Sequence, residues 1–291
     1  MADLTTTPSG IWILQALLGV ETMPTALRLR PFIPSVDGDG TVATTHGQVP
    51  LAHTAEYQSL VTAGVIDRDG RVDEAVRDWM AVVGRPQREV VVAIRRPSPG
   101  TEPAGDGGPA LIDERVLSIC QRERWLAMIA RSGDEVVLAP LGEAALADAQ
   151  SELICDTVLH AFSDGRPAAI AGVNVPRDAL ERALTDHIGK DRALTASALA
   201  RLGLAPDQVA VLTAAASLDE SAMAVVTVRH HGITTHIHSD VLSVFDTEFG
   251  RITISYTTGP DGTQWTSIWP TSPDALRQDV AKLLNAAKAA A

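Results

Sequence analysis

The sequence predicts an α+β protein made of two similar lobes related by a pseudo-twofold axis. A central, largely antiparallel β-sheet is expected to join the lobes. Three observations predict this fold. The segment Val116–Ile119 recurs in similar form as Val241–Val244. Each copy leads through further alternating apolar runs to a proline and an amphipathic helix. Strand-like segments cluster together and helix-like segments cluster together, which is typical of α+β rather than alternating α/β proteins.

The spacing of the two copies predicts a duplication. The offset is 125 positions at the first recurring strand (116 to 241) and 130 at the following helix (146 to 276). The five additional residues fall in a turn-rich segment, Thr258–Gly262. We therefore expect an N-terminal lobe over residues 1–165 and a C-terminal lobe over residues 166–291. One sheet would join the lobes into an integrated domain and remove an open strand edge from each, so neither half should be soluble alone.

The N-terminal elements follow from local patterns. Ser9 is positioned to cap a first helix, whose apolar residues recur at helical spacing up to Gly19. Leu27 to Arg30 alternates apolar and basic residues as a half-buried strand does. Residues 34–50 are rich in Gly, Asp and Thr and predict a loop. Helices are then expected over roughly 51–63 and 72–83, and strands over 89–96, 111–120, 125–131 and 135–139. A helix from 142 to about 162 would close the lobe.

The C-terminal elements repeat this order. Asn174-Val175-Pro176 predicts a helix start, because a capping residue precedes a proline at the first helical position. Helices are expected over 176–188, 194–202 and 206–216, and strands over 222–229, 241–245, 251–256 and 264–269. A last helix begins near residue 271. Its apolar stripe consists of Leu276, Val280, Leu283 and Leu284.

Composition excludes several classes of function. The chain has 291 residues, of which 45% are hydrophobic and 21% charged, as in ordinary soluble proteins. Its net charge of −12 disfavours both nucleic-acid binding and attraction to anionic membranes. No stretch approaches the roughly 20 apolar residues that span a bilayer, and no signal-peptide pattern opens the chain, so we expect a cytoplasmic protein. Two cysteines, Cys120 and Cys155, exclude a disulfide scaffold and predict buried thiols.

Catalytic motifs are scarce. No G-x-S-x-G nucleophile elbow occurs, and no cofactor motif is recognised. One alternative function rests on histidine: imidazoles of His230, His231, His236 and His238 could chelate a transition metal if the segment turns near Gly232. That reading predicts a metal-binding enzyme, whereas the simpler reading is a polar, histidine-rich hairpin. A ligand-binding regulator is a third reading, although no residue favours a particular ligand.

Five segments resemble one protein family. They are Gly10–Leu18, Leu27–Phe32, Val173–Pro176, Leu202–Leu204 and Phe249–Ile252. Together they resemble the EspG family of proteins associated with type VII (ESX) secretion. The resemblance implies a quasi-twofold fold, in which helical bundles flank the central β-sheet, and a cytosolic, non-enzymatic chaperone. Such a chaperone would bind the helical tip of the PPE subunit in a PE–PPE heterodimer, keep the heterodimer soluble and target it to an ESX system.

The resemblance also implies where a partner binds. Family contacts involve a loop between two strands, which matches residues 97–109 by position, and helices matching 194–202 and 206–216. We expect partner contacts at the ends and tip of that loop, which carry Arg95, Arg96, Glu102, Asp106 and Leu111. No metal ligand or cofactor is implied. A homodimer remains possible.

Overall fold

The structure is a computed structural model that describes residues 3–29, 41–44, 47–98, 112–162, 164–185, 192–217 and 219–289. The described strands are β1 (Leu4–Thr6), β2 (Thr41–Thr44), β3 (Gly47–Pro50), β4 (Arg88–Pro97), β5 (Ile112–Arg122), β6 (Trp125–Ser132), β7 (Glu135–Glu143), β8 (Val173–Pro176), β9 (Ala222–His231), β10 (Thr235–Ile237), β11 (Leu242–Thr247), β12 (Gly250–Thr258) and β13 (Gln264–Pro270). The described helices are α1 (Pro8–Leu18), α2 (Ala55–Thr62), α3 (Glu74–Gly84), α4 (Ala147–His160), α5 (Arg177–Thr185), α6 (Arg192–Ala200), α7 (Pro206–Ala216) and α8 (Pro273–Ala289).

One large sheet organises the described strands. Its order is β1-β7-β6-β5-β4-β9-β11-β12-β13-β8, with β10 paired to β9, and β2 and β3 form a separate hairpin. Neighbouring strands pair in antiparallel orientation, for example β6 with β7 and β12 with β13. The α+β prediction with a largely antiparallel sheet is therefore confirmed. The two halves of the strand order match. Three consecutive strands and one further strand follow β4 in one direction (β5, β6, β7, then β1) and follow β9 in the other (β11, β12, β13, then β8). That the two lobes superpose stays a prediction.

The described chain divides into two compact units, each assembled from three segments. Unit 1 contains residues 1–90, 116–153 and 230–236, and unit 2 contains residues 91–115, 154–229 and 237–291. This division is by spatial proximity, and the predicted boundary near residue 165 stays a prediction.

Unit 1 has its own apolar core between α1, α3 and the strands from β5 to β7. Local signals start its helices: the Thr7 hydroxyl accepts the Gly10 amide at 3.1 Å, and the Asp73 carboxylate accepts the Ala75 amide at 2.9 Å. Val76, Met80 and Val83 recur at helical spacing along α3 and are fully buried. Cys120 is part of the same core, as the sequence predicted.

Unit 2 buries residues of α5, α6 and α7 against strands β8, β12 and β13. The stripe predicted on the last helix is confirmed, because Leu276, Val280, Leu283 and Leu284 of α8 are all buried. Close backbone approach also holds this unit together. Gly250 has φ +119°, and the next residue, Arg251, donates its amide to the Arg166 carbonyl at 2.7 Å.

Three sequence-based predictions of local structure are wrong. Ser9 does not cap the first helix: it lies within α1, and Thr7 is the capping residue. Leu27 does not begin a strand: Thr25–Leu27 is a 3-10 helix, and Arg28 has φ +49°. The Arg131 guanidinium donates to the carbonyls of Leu27 and Arg28 at 3.0 and 2.8 Å. These two carbonyls therefore bond to a side chain rather than to the backbone of a neighbouring strand. Asn174-Val175-Pro176 does not open a helix. It belongs to edge strand β8, which pairs with β13. The helix predicted from residue 176 is present as α5, which begins at Arg177 directly after the strand.

Three further strands were not predicted. β1 pairs with β7, with Leu4 opposite Leu138, and β2 and β3 form a hairpin within the predicted loop of residues 34–50. No helix in the described ranges combines the length and apolar character needed to cross a bilayer.

Candidate partner-binding site

The arms of the β4–β5 hairpin carry the described part of the predicted contact loop. Arg95 and Arg96 lie near the end of β4, and Ile112 begins β5 with an exposed side chain. The predicted contact residues Glu102, Asp106 and Leu111 lie outside the described residues. The site can therefore be built from its two arms.

Arg95 is held loosely. Its Nη2 atom lies 3.7 Å from Glu114 Oε1 across the hairpin, and the two side chains are 51% and 39% exposed. Exposed ion pairs of this kind contribute at most about 1 kcal/mol, so little free energy is lost when a partner replaces one member. Arg95 is thus well placed to exchange its intramolecular carboxylate for one on a bound protein.

Arg96 has a different role. Its guanidinium donates from Nη2 to the Ala161 carbonyl at 3.5 Å, just beyond the last residue of α4. A cation at a helix C-terminus is favourable because the last carbonyls there lack helical donors. The contact ties β4 to α4 within unit 2, so part of the hydrogen-bonding capacity of Arg96 is already used to position the hairpin arm.

Helices α6 and α7 provide the second predicted contact region. Their buried sides include Leu199 and Val211, whereas Leu194 on α6 is 49% exposed. Arg192 at the start of α6 donates to Glu220 at 2.6 Å and to Glu248 at 2.8 Å. The hydrogen bond with Glu248 raises the pKa of Arg192, together with the charge of Glu220. These contacts anchor the first turn of α6 and leave an apolar residue displayed beside charged ones.

The four histidines do not assemble into a metal centre. His238 is buried and its Nδ1 atom accepts the Asp240 amide at 3.1 Å, whereas His236 is exposed. The two side chains therefore lie in different environments. Among the residues that the structure describes, no group of three or more His, Cys, Asp or Glu side chains is placed to hold a metal ion.

A buried polar cluster in unit 1 was not predicted. Glu89 on β4 is only 1% exposed, yet its Oε1 atom accepts a hydrogen bond from the Ser118 hydroxyl, and its Oε2 atom lies 2.9 Å from Nε2 of His231. Burial raises the pKa of the nearby Cys120 thiol, and the charge of Glu89 raises it further. One signal was available in the sequence, namely a carboxylate that opens a run of valines.

Comparison with known proteins finds one family and several of its members. The family model described as "EspG family" matches residues 7–282. The ESX-2 secretion-associated protein EspG2 of Mycobacterium tuberculosis is 29% identical over 261 residues, which cover 88% of this chain and 85% of that protein. The ESX-5 secretion-associated protein EspG5 of the same species is 25% identical over 295 residues, covering 97% and 93% of the two chains.

A solved structure has the same fold. It is that of the M. tuberculosis type VII secretion system chaperone EspG5 in complex with a PE25–PPE41 dimer. The TM-score is 0.70 at 23% identity, over 98% of this chain and 96% of that one. Since the family model spans nearly the whole sequence and the fold agrees, the chain belongs to the EspG family.

Proposed function

We propose that this protein is a non-catalytic cytoplasmic chaperone that binds a PE–PPE heterodimer through the helical tip of the PPE subunit. It keeps the heterodimer soluble and directs it to a type VII (ESX) secretion system. The observation that carries this proposal is the fold shared, over almost the full length of both chains, with a chaperone solved in complex with a PE–PPE dimer.

The surface chemistry of the described hairpin arms and helices supports the proposal. A helical partner with an exposed apolar end self-associates in water unless that end is covered. Ile112 and Leu194 are exposed apolar side chains in unit 2 that could contribute cover, and charged groups accompany each of them. Protein interfaces combine an apolar centre with a polar rim in this way.

We assign the charged contacts to the β4–β5 hairpin. Arg95 exchanges Glu114 for a carboxylate of the partner, and Glu102, Asp106 and Leu111 of the intervening loop complete the contact. Arg96 contributes by keeping the hairpin arm against the end of α4. Under this assignment, charge reversal at Arg95 weakens binding, whereas removal of Arg96 acts mainly through the position of the arm.

The test is co-expression with a panel of PE–PPE pairs from the same genome, followed by size-exclusion chromatography with light scattering. We expect one stable complex, and the same measurement gives the oligomeric state of the free chain. Arg95→Glu should weaken that complex by about 10-fold, the effect of losing one well-placed charge contact. Arg182→Glu is the matched control, because Arg182 is an exposed arginine in an ion pair with Asp178 on α5. Separate elution of every pair from the chaperone would refute the proposal.

A further inference from the structure

The turn between β11 and β12 is connected to both regions that the proposed function places at the partner. It consists of Glu248 and Phe249, and the two strands meet at the pair Thr247 and Gly250. The Thr247 hydroxyl donates to the Gly250 carbonyl at 2.9 Å and accepts from the Phe249 amide at 3.2 Å. The side chain of Thr247 therefore fixes the geometry of this turn, which lies within unit 2.

The first connection leads from the turn to α6, the helix that displays Leu194. Arg192 at the start of α6 donates to Glu248 of the turn at 2.8 Å and to Glu220 at 2.6 Å. Both carboxylates are more than half exposed, so the two ion pairs contribute little to the stability of the fold. Their effect is on position, because a guanidinium held by two carboxylates fixes the first turn of the helix.

The second connection runs through Arg251, which is buried on β12 two residues after the turn. Its guanidinium donates to both carboxylate oxygens of Asp246 on β11, at 2.5 and 2.8 Å, and lies 5.5 Å from the centroid of the Phe162 ring. A Cβ atom at Gly165 would lie 2.6 Å from Arg251 Cζ, so the chain that leaves α4 passes close to the guanidinium. The bidentate pair with Asp246 orients the planar guanidinium, which a lysine could not reproduce.

Phe162 directly follows the residue that holds the contact hairpin. The Ala161 carbonyl accepts from Arg96 on β4 at 3.5 Å, and the Phe162 amide donates to the Leu159 carbonyl at 3.1 Å. Two arginines therefore contact the end of α4, one from the hairpin arm and one from β12. Removing Arg251 from the Phe162 ring would release the segment to which the hairpin arm is bonded. These residues all belong to unit 2.

We propose that the β11–β12 turn and the residues beside it are a common anchor for both contact regions, in which Glu248 positions α6 and Arg251 positions the β4–β5 hairpin. This inference rests on the proposed function. Both are positioning residues that act through another side chain, Arg192 or Phe162, and neither touches the partner. Contact regions that are already fixed lose less conformational freedom on binding, so the anchor increases affinity without adding a contact.

The experiment measures affinity for the co-eluting PE–PPE pair by calorimetry. Glu248→Ala and Arg251→Lys should each weaken binding by about 3- to 10-fold, a range typical of substitutions that act without touching the ligand. Glu181→Ala is the matched control and should bind like the wild type. Glu181 is likewise a carboxylate that is more than half exposed, and it pairs with Arg177 on α5 at 2.7 Å.

A double-mutant cycle separates positioning from direct contact. Because Glu248 acts through Arg192, Glu248→Ala should cause no further loss of affinity in a chain that already carries Arg192→Ala. Hydrogen exchange of the free chain gives a second readout. Glu248→Ala should speed exchange of the α6 amides, and Arg251→Lys should speed exchange at the end of α4. A loss of affinity from Glu248→Ala that is the same in both backgrounds would mean that Glu248 itself touches the partner, and the inference would be wrong.

The outcomes distinguish this inference from the proposed function. A wild-type chain that binds no PE–PPE pair overturns both. A wild-type complex whose affinity neither variant changes overturns the inference alone, and a loss in only one variant excludes a common anchor. Thermal melting checks that each variant is folded. Should Arg251→Lys fail to melt cooperatively, Phe162→Leu takes its place, because it removes the ring and leaves the pair of Arg251 with Asp246 intact.

Discussion

Replacing Gly250 by alanine should destabilise unit 2 far more than an ordinary glycine substitution. Gly250 has φ +119°, and a Cβ atom there would lie 2.7 Å from the Ala168 nitrogen and 2.9 Å from the Arg166 carbonyl oxygen. These are backbone atoms, so no side-chain rotation relieves the contact. The segment that must move is held by two hydrogen bonds, from the Arg251 amide to Arg166 at 2.7 Å and from the Ala168 amide to the Arg251 carbonyl at 3.0 Å.

The magnitude follows from these contacts. A non-glycine residue at positive φ costs about 1–2 kcal/mol, and loss of two backbone hydrogen bonds adds about 1 kcal/mol each. Gly250→Ala should therefore lower the free energy of unfolding by about 3–4 kcal/mol. Gly203→Ala is the matched control: its φ is +78°, but nothing lies within 4 Å of the added Cβ, so only the conformational cost of about 1–2 kcal/mol applies.

The assay is urea unfolding of both variants, followed by circular dichroism and tryptophan fluorescence. A difference of about 2 kcal/mol separates the unfolding midpoints by about 1 M when the slope is about 2 kcal/mol/M. If Gly250→Ala unfolds at the same urea concentration as Gly203→Ala, the close backbone approach does not carry the stability assigned to it. That result would refute the reasoning.

Three further predictions concern single side chains. Gln150→Met should lower the free energy of unfolding by about 1–3 kcal/mol, measured in the same urea assay, because the buried amide donates to the Ala144 carbonyl at 2.8 Å and a thioether cannot. Cys120 should resist alkylation at pH 8 in the native protein and react on unfolding, since burial raises the pKa of its thiol; rapid labelling of the native chain, mapped by mass spectrometry, would contradict this. The backbone amide and hydroxyl of Thr263 lower the pKa of Asp261 by hydrogen bonding to its carboxylate. The charged carboxylate therefore stabilises the fold at pH values above its ordinary pKa, and this contribution is lost as the pH falls through the lowered pKa. Thr263→Val should move the NMR titration of Asp261 upward, and an unchanged titration would exclude the hydroxyl as a cause.

The meander strands and the last two helices could be predicted because their signals are local. α7 was predicted at its observed bounds, 206–216, and the stripe of α8 is buried as expected. The misassigned segments are short and take their structure from distant partners. Leu4 is a strand residue because Leu138 lies opposite it, and Leu27 is held in a turn by Arg131, 104 residues away. No window of local sequence contains those partners.

The candidate site divides in the same way. Exposure of Arg95 at the end of an apolar strand could be anticipated from the pattern, and the structure gives it a loose partner in Glu114. The hydrogen bond from Arg96 to the Ala161 carbonyl at the end of α4 could not be anticipated, because the two residues are 65 positions apart in the chain. The contact between Glu89 and His231 spans 142 residues. The sequence drew attention to the histidines as metal ligands, whereas the structure uses one of them to hold a hairpin.

Cutting the chain between residues 165 and 166 should abolish folding of both fragments, although the cut falls at the predicted lobe boundary. Unit 1 takes residues 230–236 from the second half, and unit 2 takes residues 91–115 from the first, so neither fragment contains a complete unit. β4 and β9, neighbours in the sheet, would also end up on different fragments, and each would expose an unpaired edge. Fragments 1–165 and 166–291 expressed separately should aggregate or lack a cooperative melting transition, whereas the two expressed together should co-purify. A dispersed NMR spectrum and cooperative melting from either fragment alone would mean that each lobe is self-sufficient, and that the exchange of segments between the halves adds nothing essential to the fold.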